Sequence, residues 1–150
     1  MRKQDKNVQQ LTCKLDQSRH NLGDIQYKQA KIYNPANDCK DDVLVIEDSC
    51  CTVNFISPKL ASRCKLTTQP TKPITMTTLK GDFTADEGVE VTWYGRNGET
   101  GSDWFYIAHN KNMSSASILV GTQFLWYHPD VFERLEPGFV TVQKEVKASQ

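Results

Sequence analysis

Three histidines, five cysteines and 18 carboxylates are the side chains with which this 150-residue chain could hold a metal, move a proton or attack a carbonyl. A zinc site needs four ligands at about 2.0 to 2.3 Å, and a close Cys-x2-Cys pair preassembles half of the tetrahedron. No such pair occurs. Cys50 and Cys51 are adjacent, so in a strand they point to opposite faces, while Cys39, Cys64 and His20 are scattered. A metal would require Cys39, Cys51, Cys64 and His20 to converge in space, and burial as small hydrophobes is the plainer expectation. Nucleophilic catalysis needs a thiol or hydroxyl beside a histidine that a third group orients. Cys51 with His109 or His128 is one such pairing, yet five cysteines and three histidines allow a pairing in almost any fold. The chain also lacks the Gly-x4-Gly-Lys phosphate loop and the Gly-x-Gly-x-x-Gly dinucleotide loop. These residues assign no catalytic residue, no metal and no cofactor. The expectation is a protein that is not an enzyme, with a small Cys/His-dependent enzyme as the more distant alternative.

Recognition chemistry is better represented. Eleven of the fourteen aromatic residues fall from Phe83 onward, most of them in the runs Val89–Tyr94, Trp104–Ile107 and Phe124–Tyr127. Val89, Val91 and Trp93 alternate with Glu90, Thr92 and Tyr94; a loop follows at Arg96–Ser102, and Asp103–His109 returns, a pattern that predicts a β-hairpin. With the first set facing the core, Tyr94 faces outward. The return strand must then place either Trp104 and Tyr106 or Phe105 and Ile107 beside it. One large apolar set needs a cover, supplied by the rest of the chain or by a partner. Tyr94, Trp104 and Tyr106, rimmed by Arg96, Glu99 and Asp103, are therefore the candidate partner-binding residues, because Trp and Tyr dominate interface hot spots. Clustered rings near Glu90, Glu99 and Asp103 also have the chemistry of a cage for a cation, such as a methylated lysine or a quaternary amine.

Lys+Arg and Asp+Glu cancel at 18 each, so no global field holds the chain on nucleic acid or on an anionic membrane. The charge is nonetheless divided. Residues 1–72 carry 12 basic and 8 acidic side chains, and residues 73–150 carry 6 and 10. Arg2, Lys3, Lys6, Lys14 and Arg19 form a basic arm able to neutralise a few phosphates, which makes a nucleic-acid-binding module the leading alternative. Neither a signal peptide nor an apolar stretch of membrane-spanning length is expected. A soluble, cytoplasmic or otherwise intracellular protein with reduced thiols is the corresponding expectation.

The elements that must position these residues are mostly short. Val8, Leu11, Leu15 and Leu22 suggest an N-terminal amphipathic helix, and Asn34–Asp38 reads as a turn. Val43–Ile46 suits a strand buried on both faces, and Cys51–Ile56 a second strand pairing with it as a hairpin. Ser117–Val120, Thr122–His128 and Phe139–Val146 are further strand candidates, and Pro129–Leu135 suits one turn of helix. The predicted class is mainly β, an antiparallel barrel or sandwich of roughly seven to nine short strands with an N-terminal helix or arm. A basic, Cys-containing part (1–68) and an aromatic-rich β part (74–150) are separated by a Pro-containing hinge at 69–73, or pack together as one domain. The function expected from all of this is a protein–protein interaction module, an adaptor, inhibitor or assembly subunit, acting on another protein or on a second copy of itself.

Overall fold

The computed structural model describes residues 25–109 and 113–135. The helix expected over 8–22, the basic arm and the strand expected at Phe139–Val146 lie outside these residues. Eight strands join in one mixed sheet: β1 (Ile25–Asn34), β2 (Cys39–Asp48), β3 (Phe55–Ile56), β4 (Gln69–Thr78), β5 (Gly81–Tyr94), β6 (Thr100–Ile107), β7 (Ser117–Val120) and β8 (Glu133–Arg134). Two short helices, α1 (Pro58–Arg63) and α2 (Thr122–Tyr127), complete the mainly β architecture. None of the described helices is long and apolar enough to cross a membrane.

The order along the sheet is β4-β5-β6-β3-β7-β2-β1-β8, and β1 also meets β5 through Lys31↔Tyr94 and Ile32↔Trp93. The ladder through β5, β6, β3, β7, β2 and β1 therefore returns to β5. Most pairs are antiparallel, but β2 with β7 and β3 with β6 run parallel, which corrects the expectation of a purely antiparallel sheet. The parallel pairs arise where the short strands β3 and β7 insert between β2 and β6. Phe55, Ile56, Ile118, Leu119 and Val120 are all fully buried there, as central strands covered on both faces require.

Two apolar clusters lie on opposite faces of this central layer. Val43, Val45, Ile56, Ile118 and Val120 point into one, together with Ile32, Val91, Trp93 and Phe105. Leu44, Ile46, Phe55 and Leu119 point into the other, where Met76 and Phe83 of the β4–β5 hairpin cover them. Val43–Ile46 is thus a strand segment buried on both faces, as its unbroken apolar run suggested. Its partners are β1 and β7 and not the Cys51–Ile56 segment, of which only Phe55–Ile56 is extended in the sheet. The segment 69–73 belongs to β4, whose register against β5 shifts between Pro70 and Ile74. Proline removes a ladder donor, and β4 is the edge strand where that loss is tolerated.

The predicted β5–β6 hairpin is present, with a tighter connection than expected. Thr100–Ser102 already belong to β6, and the turn closes where the Gly95 N–H donates to the Glu99 carbonyl at 2.7 Å. Asn97 (φ 56°) and Gly98 (φ 75°) both occupy the left-handed region, which suits Asn-Gly in a hairpin turn. At the other end of the sheet, Asp48 is fully buried and ties two segments together. Its Oδ1 accepts from the Cys50 N–H at 2.8 Å and its Oδ2 from the Leu79 N–H at 2.9 Å, so the β4–β5 turn is fastened to the end of β2. Replacing Asp48 by Ala strands these donors, at about 1 to 3 kcal/mol per unsatisfied group. The urea midpoint of the D48A variant should fall accordingly, and amide exchange at Leu79 should accelerate more than exchange in β7.

Candidate functional site

The hairpin register settles which rings face outward. Val89↔Phe105 and Trp93↔Gly101 lie on the buried side, while Glu90↔Trp104 and Tyr94↔Thr100 lie on the other. Trp104 is laid over Gly88, where even a Cβ atom would come within 2.2 Å of the indole. It meets Tyr106 edge to face, with ring centroids 6.3 Å apart and planes at 89°. Tyr106 in turn packs on Phe55 at 6.1 Å. Trp104, Tyr106 and Tyr94 are each half-buried, so the described residues cover part of this face.

The six candidate residues divide between two ends of the hairpin. Asp103, Trp104 and Tyr106 line a groove of about 290 Å³. Its remaining walls are the segment Thr52–Asn54 and the α2 residues Gln123, Phe124 and Tyr127. Tyr94 and Glu99 instead line a separate, larger groove of about 520 Å³ with Lys31, Lys40 and Asp42, and the Lys40 ammonium sits 4.1 Å from the Tyr94 ring centroid. Arg96 is ion-paired with Asp130.

The most exposed rings are ones the sequence reading did not select. Trp126 is 81% and Tyr127 74% exposed, and both lie on α2, in a segment expected to be a strand. The run Phe124-Leu125-Trp126-Tyr127 has strong β propensity, but burial of one face overrides it. Phe124 and His128, four residues apart, both pack against Trp93, at 5.4 Å and 5.0 Å between centroids. Their rings are 4.8 Å apart, an approach that a helical turn provides, and the turn, with Pro129 just beyond its end, leaves Trp126 and Tyr127 outward. The helical turn expected at Pro129–Leu135 is likewise corrected. Val131 and Phe132 are buried there, and Glu133–Arg134 pair with Gln29 and Lys28 as β8, where the adjacent strand offers ladder partners that one helical turn lacks.

Two residues fix the groove's walls. The Asn54 side chain donates from Nδ2 to the Trp104 carbonyl at 3.1 Å and accepts at Oδ1 from the Gly121 N–H at 3.0 Å, joining β6 to the start of α2. Gly121 is wedged against this segment, since a Cβ there would meet the Cys51 and Val53 carbonyl oxygens at 2.5 and 2.6 Å. Asp103 faces inward from the groove's rim. Its Oδ2 accepts the Trp93 indole N–H at 2.7 Å and lies 3.5 Å from His128 Nε2.

The groups considered for catalysis or metal binding are engaged elsewhere. His109 Nε2 lies 2.8 Å from Asp86, His128 is on Asp103, and Cys51 Sγ donates to the Val53 carbonyl at 3.3 Å. His20 and Cys13 lie outside the described residues. Among the described residues, no three His, Cys, Asp or Glu side chains are grouped to hold a metal ion. Cys39 and Cys64 approach the two oxygens of Asp41 at 3.5 and 3.8 Å. Withdrawal from water pushes the Cys64 thiol up to about 11, reinforced by Asp41, and the same two causes raise Cys39. No protein-family description, curated protein or solved structure matches this chain.

A raised thiol pKa means less thiolate at neutral pH and slower alkylation. At pH 7.5, iodoacetamide should modify Cys39 more slowly than a free cysteine peptide and should leave Cys64 unmodified until the protein unfolds. The D41N variant, which removes the carboxylate's contribution, should speed labelling of Cys39, as peptide-mapping mass spectrometry would show.

Proposed function

We propose that the protein acts by binding another protein, through a face made of Trp126 and Tyr127 on α2 and of Trp104 and Tyr106 in the adjoining groove. The observation that carries this reading is the pair of neighbouring rings on α2, which are the most exposed large hydrophobic side chains among the described residues. Both are of the types that concentrate binding energy at interfaces. Burying one such ring contributes about 1.5 to 3 kcal/mol, so the two on α2 supply about 3 to 6 kcal/mol toward a contact that the groove extends. The six-stranded ring, which we read as a small closed barrel, gives this face a stiff support. An adaptor, inhibitor or assembly subunit needs such a surface and no bound cofactor, and self-association through the same face is the simplest form of it.

A second class, nucleic-acid binding, rests on Arg2, Lys3, Lys6, Lys14 and Arg19, which lie outside the described residues. One experiment separates the two. Trp126→Ser and Tyr127→Ser, singly and together, should leave the unfolding free energy from urea titration within about 0.5 kcal/mol of the parent, as exposed substitutions do. The double variant should weaken association by tenfold or more, read by sedimentation velocity for self-association and by quantitative affinity capture for a different partner. Association unchanged in the double variant would reject the face. Salt-sensitive retention on DNA that survives both substitutions would favour the basic arm.

A further inference from the structure

Among the described residues, two lysine ammonium groups are held over tyrosine rings, Lys40 on Tyr94 at 4.1 Å and Lys80 on Tyr27 at 5.1 Å. In both cases the protein covers an outward ring with its own cation. The rings of the α2–β6 groove are different: no lysine or arginine lies over Trp104, Tyr106 or Tyr127 among the described residues, and none lines the groove. Trp104 and Tyr106 stand at 89° to each other, so two aromatic walls meet in a corner, and Tyr127 adds a third ring from α2. Asp103 supplies a carboxylate at the rim, and both of its internal contacts, to Trp93 and His128, run through Oδ2.

We propose that this groove receives a cationic side chain, an ammonium or guanidinium, presented by the protein that docks on the α2 face. The proposal rests on the protein-binding reading of that face and adds the chemistry of the group that enters it. Aromatic faces attract cations through their quadrupoles, and the attraction grows as the cation loses water. A half-enclosed corner with a carboxylate beside it provides that partial dehydration with no lysine or arginine opposing it among the described residues. A neutral apolar side chain would gain the ring contact alone. An acidic one would meet Asp103 and the negative ring faces.

The test uses tetramethylammonium chloride as the probe, with sodium chloride at equal ionic strength and neutral tert-butanol as controls. Two-dimensional NMR of the intact chain should show a saturable shift of the Trp104 indole N–H with tetramethylammonium, half-complete at millimolar concentrations, and no comparable saturation with either control. Tyr127→Ala removes an exposed ring and should weaken the effect about three- to tenfold. Gly88→Ala, which must displace the Trp104 ring while keeping it in the chain, should weaken it as well. Equal saturation by tert-butanol, or no saturation by tetramethylammonium in the folded parent, would overturn the proposal. If the probe fails while the W126S/Y127S pair still abolishes association, the cation inference falls and the protein-binding face stands. If the probe binds but that pair changes nothing, the groove is a small-cation site and the reading of the face falls.

Discussion

The indole of Trp93 is the constraint around which the described structure is arranged. Its backbone pairs with Ile32, closing β5 onto β1, and its ring is only 1% exposed. A buried indole needs room, a hydrogen-bond acceptor and close-packed neighbours. Room comes from Gly101 directly across the ladder, where a Cβ would stand 2.8 Å from the ring. The acceptor is Asp103, two residues further along the same face of β6. Neighbours come from Phe124, His128 and Phe132, the first and last of which stack at 5.5 Å with planes 8° apart. The last requirement reaches the surface: the Phe124 and His128 rings lie 4.8 Å apart on one indole, closer than an extended segment of about 13 Å over four residues brings them, and the helical turn that does so exposes Trp126 and Tyr127.

A second economy lies in the central layer. Strands β2, β7 and β3 use consecutive residues for opposite clusters, Val45 for one and Ile46 for the other, Ile118 for one and Leu119 for the other. A single layer therefore supports both cores, and the β4–β5 hairpin closes the outer one with Met76, Phe83 and Ala85. Burying Asp48 beneath that hairpin is tolerated because backbone N–H groups occupy both of its oxygens.

Local alternation made part of this legible. Val43–Ile46, Val89–Trp93 and Ser117–Val120 announced themselves as strands, and the Arg96–Ser102 stretch marked the hairpin's connection. What alternation does not carry is pairing. Nothing local in Leu44 or Ser117 says that they meet in parallel, because that match is decided by which apolar faces the whole chain must stack. The candidate surface was half legible for a similar reason. Parity narrowed the outward rings to Trp104 with Tyr106 or Phe105 with Ile107, and the register chose the first, whereas Thr52–Asn54 and α2 join them from about fifty residues before and twenty after. Trp126 and Tyr127 were hidden by their own β propensity, and the four-residue step from Phe124 to His128 fits one face of a strand as well as of a helix.

Asn54 bridges two walls that belong to different parts of the chain. Its carboxamide meets a carbonyl on one side and an N–H on the other, so its orientation cannot be reversed and an aspartate could satisfy only one of the two. The gap between β6 and α2 is thereby set by the span of one amide group. On the proposed reading, the width of the opening is set by the backbone frame and its charge by the side chains that line it.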